Sequence, residues 1–169
     1  MRSNSSGLWA FEDKMEYLSV HMDAAAVTAS ATGLSKQDIF ATLAKKASQC
    51  YGLDADIVMN RLQDRETLGS TGFGGSVAIP HARIKELDRC VGLFIRLEQP
   101  IGFDAHDGQI VDLIFGLLSP EQGSADHLKA LAEVSRFLRD ESIVAKLRGA
   151  ASEDALYVLL TGQQDQQAA

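Results

Sequence analysis

Apolar positions change their period several times along this chain, and each change predicts an element. Ile39, Phe40, Leu43, Ala44, Ala47 and Cys50 recur at three- and four-residue intervals up to Gly52, the spacing of one helical face. Ser35, three residues before Asp38, gives that helix a capping-box-like start. Asp54 caps a second predicted helix carrying Ile57, Val58 and Leu62, which runs out near Arg65 and Glu66. Upstream, residues 24–31 fit a turn of helix and then a short strand around 27–29.

Shorter apolar runs predict strands. Val77, Ala78 and Ile79 form one, and Pro80 fixes its own backbone while holding Ile79 extended, so His81 is expected at a strand terminus. Residues 91–97 and 110–118 are rich enough in β-branched and aromatic side chains for central strands, with Pro100 as a break between them. Residues 104–108 read as a turn that makes His106 a loop residue, and 119–123 read as a loop. Ser124 is the expected cap of a helix with an inner stripe of Leu128, Leu131, Ala132, Ser135 and Leu138, placing His127 in its first turn. Ser152 caps a last helix bearing Ala155, Leu156, Leu159 and Leu160, ended by Gly162. Strands mingled with helices predict a single α/β layered domain.

Composition narrows the class. The chain has 169 residues, about one ordinary domain, and 46% hydrophobic residues are enough for a core. A net charge of -7 argues against nucleic acid or an anionic membrane as main partner and suits a basic protein partner. No apolar run approaches the roughly 20 residues that span a bilayer, and no signal-peptide pattern opens the chain, so a cytoplasmic protein is expected. Cys50 and Cys90 lie far apart, as reduced thiols with core roles. Residues 1–17 read as an N-terminal extension, with Trp9 and Phe11 as candidate contacts to the domain, and 163–169 as a polar tail.

The chemistry concentrates in residues 65–83, R-E-T-L-G-S-T-G-F-G-G-S-V-A-I-P-H-A-R. His81 is a candidate nucleophile behind a loop whose four glycines, at 69, 72, 74 and 75, allow positive backbone angles, so that several N–H groups could face one anion. Phosphate is the natural guest, yet no Gly-Lys-Ser/Thr and no G-x-G-x-x-G occurs, which sets nucleotide binding aside. On residue types alone a satisfied turn histidine is at least as good a reading of His81. Arg65 has an equally plain reading as a solvated helix-end cation, and His127 as an ordinary surface histidine.

The pattern R-E-x-x-G-S-T-G-x-G-x-x-x-A-I-P-H resembles the active-site segment of IIA components of the bacterial phosphoenolpyruvate-dependent phosphotransferase system, in the fructose/mannitol class and its nitrogen-regulatory branch. The likeness extends over residues 24–160, within a type-2 EIIA domain set at 18–162. Two positions depart from it: Gly75-Ser76 where Asn-Gly is usual, and Ala82 where glycine is usual. The resemblance implies a mixed sheet of about five strands sandwiched between helices. It also implies that His81 carries the phosphoryl group through Nε2, with Nδ1 held by an acceptor, and that Arg65 and His127 support it. The donor would be a phosphorylated HPr-like carrier protein, and the protein would act on regulatory target proteins according to its phosphorylation state.

Histidine suits this role because its neutral, nucleophilic form is abundant near pH 7. Arg65, the loop N–H groups and Ser70 or Thr71 are the expected neutralisers of phosphoryl charge. No cofactor and no metal is expected, since His81 and His127 lack zinc-ligand spacing. Two alternatives stand beside this reading: a sugar-specific IIA passing phosphate to a cysteine of a IIB protein, and a binding module never phosphorylated.

Overall fold

A computed structural model describes residues 17–32 and 35–164. The expectations for Trp9, Phe11 and the end of the tail lie outside the described residues. A short turn of 3-10 helix, Ala24–Ala26, leads into β1 (Val27–Ala31). Helix α1 (Lys36–Tyr51) starts on the predicted capping box, with Ser35 accepting from the Asp38 N–H and the Asp38 carboxylate accepting from the Ser35 N–H. It ends at Gly52 in the left-handed conformation, φ 67°, where glycine costs least. Helix α2 (Ala55–Thr67) is capped by the Asp54 carboxylate. Its Ile57, expected in the core, is 40% exposed, and Val58 and Leu62 alone are buried in it.

Four segments follow that the periodicity reads only in part. The strand expected over 77–79 is β3 (Val77–Ala78), and a further strand, β4 (His81–Ile84), not expected from the sequence, begins directly after Pro80. His81 therefore opens a strand. Strand β2 (Gly72–Gly74) is not expected from the sequence, because three residues with two glycines carry no strand signal. Strand β5 (Val91–Ile101) runs through Pro100 and does not break there. Its ladder with β6 is irregular between Arg96 and Ile101, where a missing N–H removes no regular rung.

Strand β6 (Val111–Pro120) also reaches further than expected, taking in Ser119 and Pro120. Helix α3 (Ser124–Arg139) is entered from Gly123 at φ 103°, with no side-chain cap from Ser124. Its buried face is His127, Ala130, Val134, Phe137 and Leu138, while Leu128, expected inside, is 62% exposed. Helix α4 (Glu141–Gly149), capped by Asp140, is absent from the sequence expectation, and α5 (Glu153–Thr161) has the expected Ser152 cap and Gly162 stop.

The sheet has six strands, one more than expected, in the order β1-β5-β6-β3-β2, with β4 also paired to β6. β5 and β6 are antiparallel, and β1, β3 and β4 join them in parallel. Alternation along β5 and β6 divides the core. Leu93, Ile95, Ile114 and Leu118 face α1 and α2, whereas Phe94, Leu113, Phe115 and Leu117 face α3, α4 and α5. The expected mixed sheet between helices is therefore the observed architecture.

Candidate functional site

The site lies where the end of α2, the start of β4 and the first turn of α3 meet. Ala82 and Ile84 turn into the α1/α2 core, so His81 and Arg83, on the other side of β4, are left for the opposite face. An open pocket of about 440 Å³ is bordered by Arg61, Arg65, His81, Arg83, His127 and Leu128, among others. The three residues singled out in the sequence are thus brought together, and the His81 and His127 rings stand 5.6 Å apart between centroids.

Both ring nitrogens of His81 are engaged. Nδ1 lies 2.8 Å from the Ile79 carbonyl oxygen, which can only accept, so the proton sits on Nδ1. Nε2 is then the lone-pair nitrogen, and it accepts a hydrogen bond from Arg65 Nε at 3.1 Å. The Arg65 side chain is fixed in turn by Nη1 donating to the Gly69 carbonyl at 2.9 Å. Burial lowers the His81 pKa below its ordinary value, and the Arg65 charge adds to this, against the opposing pull of the Ile79 carbonyl and Glu66. The ring is therefore neutral at pH 7.

His127 is buried, with Nδ1 2.7 Å from the hydroxyl of Ser119. Its pKa is also lowered, first by burial, then by repulsion from His81 whenever that ring is protonated and from the Arg83 guanidinium.

The glycine-rich loop does not have the expected form of an open nest of N–H groups. Gly69 N–H donates to the Glu66 carbonyl, Gly72 N–H to Ser70 Oγ and Gly75 N–H to Asp107. Thr71 gives both its N–H and its hydroxyl to the Glu66 carboxylate, the latter at 2.6 Å, and Ser70 gives its hydroxyl to the Phe103 carbonyl. These groups hold the loop's shape and are not free to bind phosphate. The cationic groups that border the pocket are side chains, Arg61, Arg65 and Arg83.

Two residues of consequence escape the sequence reading. Glu66, its side chain 8% exposed, ties the loop to α1 through Lys36 Nζ at 2.6 Å. Ser119 sits under His127. Its one signal in the sequence is its phase: it continues the alternate positions Leu113, Phe115 and Leu117, all of which face the α3 side. That phase marks an inward-facing polar residue only once β6 is extended by two residues.

Residues 21–162 match the family model described as "Phosphoenolpyruvate-dependent sugar phosphotransferase system, EIIA 2", and the chain belongs to that family. Among its relatives is the nitrogen regulatory protein of Bradyrhizobium diazoefficiens, 47% identical over 126 residues that cover 75% of this chain and 82% of the relative. The crystal structure of nitrogen regulatory protein IIA-Ntr from Neisseria meningitidis superposes with a TM-score of 0.78 at 34% identity, over 83% of this chain and 96% of that one. IIA mannitol from Escherichia coli shares the fold at a TM-score of 0.70 and 20% identity, over 83% of this chain and 99% of that one.

Proposed function

We propose that the protein is a cytoplasmic histidine phosphocarrier that takes a phosphoryl group onto Nε2 of His81 from a phosphorylated HPr-like carrier. It then controls regulatory target proteins according to whether that group is present. The observation that carries this reading is the tautomer. The Ile79 carbonyl holds the proton on Nδ1, which leaves the Nε2 lone pair at the pocket.

In the transfer step the Arg65 N–H leaves the Nε2 lone pair for a phosphoryl oxygen, and that lone pair forms the new N–P bond while the donor histidine's N–P bond breaks and its electron pair returns to the donor ring. The Nδ1 proton stays on His81, where the Ile79 carbonyl accepts from it and offsets the positive charge left on the ring. The Arg65 guanidinium, which donates to Nε2 in the free protein, stands where the phosphoryl oxygens arrive. His127 is the second group within reach of those oxygens. Its relatives named nitrogen regulatory proteins favour regulation as the outcome.

Intact mass before and after incubation with phosphoenolpyruvate, the first enzyme of the relay and the carrier tests the proposal. One acid-labile phosphoryl group on the wild type and none on His81→Ala is the expected result. Equal labelling of His81→Ala removes the assignment. Onward transfer to a IIB cysteine with sugar uptake would instead mark a sugar-specific component.

A further inference from the structure

We propose that Ser119 is a positioning residue that holds His127 as the neutral tautomer with its proton on Nε2. His127 would then meet a phosphoryl group on His81 as a hydrogen-bond donor and not as a cation. The kinetic part rests on the phosphocarrier reading above, whereas the tautomer itself does not.

Ser119 is fully buried near the end of β6, paired in register with Arg83 of β4. Among the described residues His127 Nδ1 is the one hydrogen-bond partner of its hydroxyl, at 2.7 Å. Three protonation patterns of His127 are possible, and proton accounting separates them. With the proton on Nδ1, or on both nitrogens, Nδ1–H must donate to Oγ, and the serine's own proton is buried without an acceptor. With the proton on Nε2 alone, the hydroxyl donates to Nδ1 and both groups are satisfied. A buried donor left unpaired is the costly case, so the third pattern is selected.

Because the Nδ1 edge of the ring is tied to the strand, the Nε2 edge is the one bordering the pocket that His127 shares with His81. The charged and titratable groups around it agree with a neutral ring. His81 and Arg83 come from β4, and Arg65 reaches His81 from α2. His81 is itself neutral, Arg61 of α2 borders the same pocket and Asp64 is its one carboxylate among the described residues, so guanidinium groups outnumber the acid and a further cation is disfavoured. Negative charge on the incoming group is then balanced by guanidinium, and the imidazole contributes direction.

Nitrogen-15 NMR of ring-labelled, unphosphorylated protein at pH 7.5 reads the tautomer directly. Wild type is expected to show a single neutral His127 protonated at Nε2, and Ser119→Ala a mixture of tautomers. A His127 protonated at Nδ1, or charged, in the wild type overturns the proposal. In transfer assays Ser119→Ala is expected to lower the maximal rate on the order of three- to tenfold, the loss of one hydrogen bond, with the half-saturating carrier concentration unchanged. In a His127→Ala background the same substitution should have no further effect. An equal fall in both backgrounds would mean that Ser119 serves only the strand, and would overturn it. Failure of the wild type to accept phosphate would strike the phosphocarrier reading alone, since the NMR measurement still decides the tautomer.

Discussion

In the proposed function His81 is a nucleophile made by subtraction, with one nitrogen occupied by a backbone carbonyl and the charged form disfavoured by burial and by Arg65. A consequence follows for stability. In the unfolded chain histidine titrates near 6.5, whereas in the folded protein both His81 and His127 titrate lower. As pH falls through about 6.5 the unfolded chain takes up protons that the folded one refuses, so stability declines from there down to the folded-state pKa values and levels off below them. Above pH 7 nothing is lost. Urea unfolding between pH 7.5 and 5 should therefore show a loss that shrinks in His81→Asn, and an unaltered slope in that variant would assign the loss to other groups. Glu66 separates structure from chemistry at the same spot. Glu66→Ala leaves the Thr71 N–H and hydroxyl without their acceptor, while Lys36 keeps the Phe103 carbonyl and Asp104, so the change should cost about 1–3 kcal/mol. Arg65→Ala leaves a partly exposed position and should cost about 1 kcal/mol or less in chemical denaturation while transfer falls steeply.

Helices with their own punctuation are legible in this sequence, and elements that borrow their conformation from a neighbour are not. Helices α1 and α5 are read correctly because Ser35 and Ser152 start them and Gly52 and Gly162 stop them, all local signals. The face of α3 is misjudged because Leu128 and Leu131 offer a stripe that competes with Ala130, Val134 and Phe137, and the entry from Gly123 sets which one turns inward. Strands β2 and β4 are short and gain their pairing from β3 and β6, so nothing in their own residues announces them. The convergence of Arg65 and His81 is legible through the length of the matched segment and that of His127 through the wider resemblance, yet the structure of the loop between Arg65 and His81 is not. Gly69, Gly74 and Gly75 there have positive φ, whereas Gly72 serves close approach to the segment after β5: a Cβ at Gly72 would lie 2.8 Å from Ala105 Cβ and 3.0 Å from Ala105 Cα. Since a backbone atom must give way, Gly72→Ala should destabilise by about 1–3 kcal/mol. It should also slow transfer by displacing the loop that joins Arg65 to His81. A variant with wild-type transfer and stability would show that the contact relaxes freely.

At the scale of the molecule, two apolar cores share one sheet, and the site sits where elements from both sides converge. Arg65 comes from the α1/α2 side and His127 from the α3 side, so their spacing depends on the two layers staying docked on β5 and β6. Long-range ties add to this: Arg148 of α4 binds Asp112 of β6 and the Gly75 carbonyl of the glycine loop, and Arg96 of β5 holds the chain end of α4 by donating to the Leu147 and Ala150 carbonyls. Such sharing predicts one cooperative unit and not two. Leu43 in the first core and Leu147 in the second are both fully buried, and truncating either to alanine should cost about 2–5 kcal/mol. If the layers unfold together, each variant lowers the urea midpoint of the same single transition, with the slope unchanged and far-UV and near-UV signals coincident. A second transition appearing in Leu147→Ala, with the α1/α2 side still folded, would show that the layers hold separately. His127 could then be lost while Arg65 and His81 remain in contact.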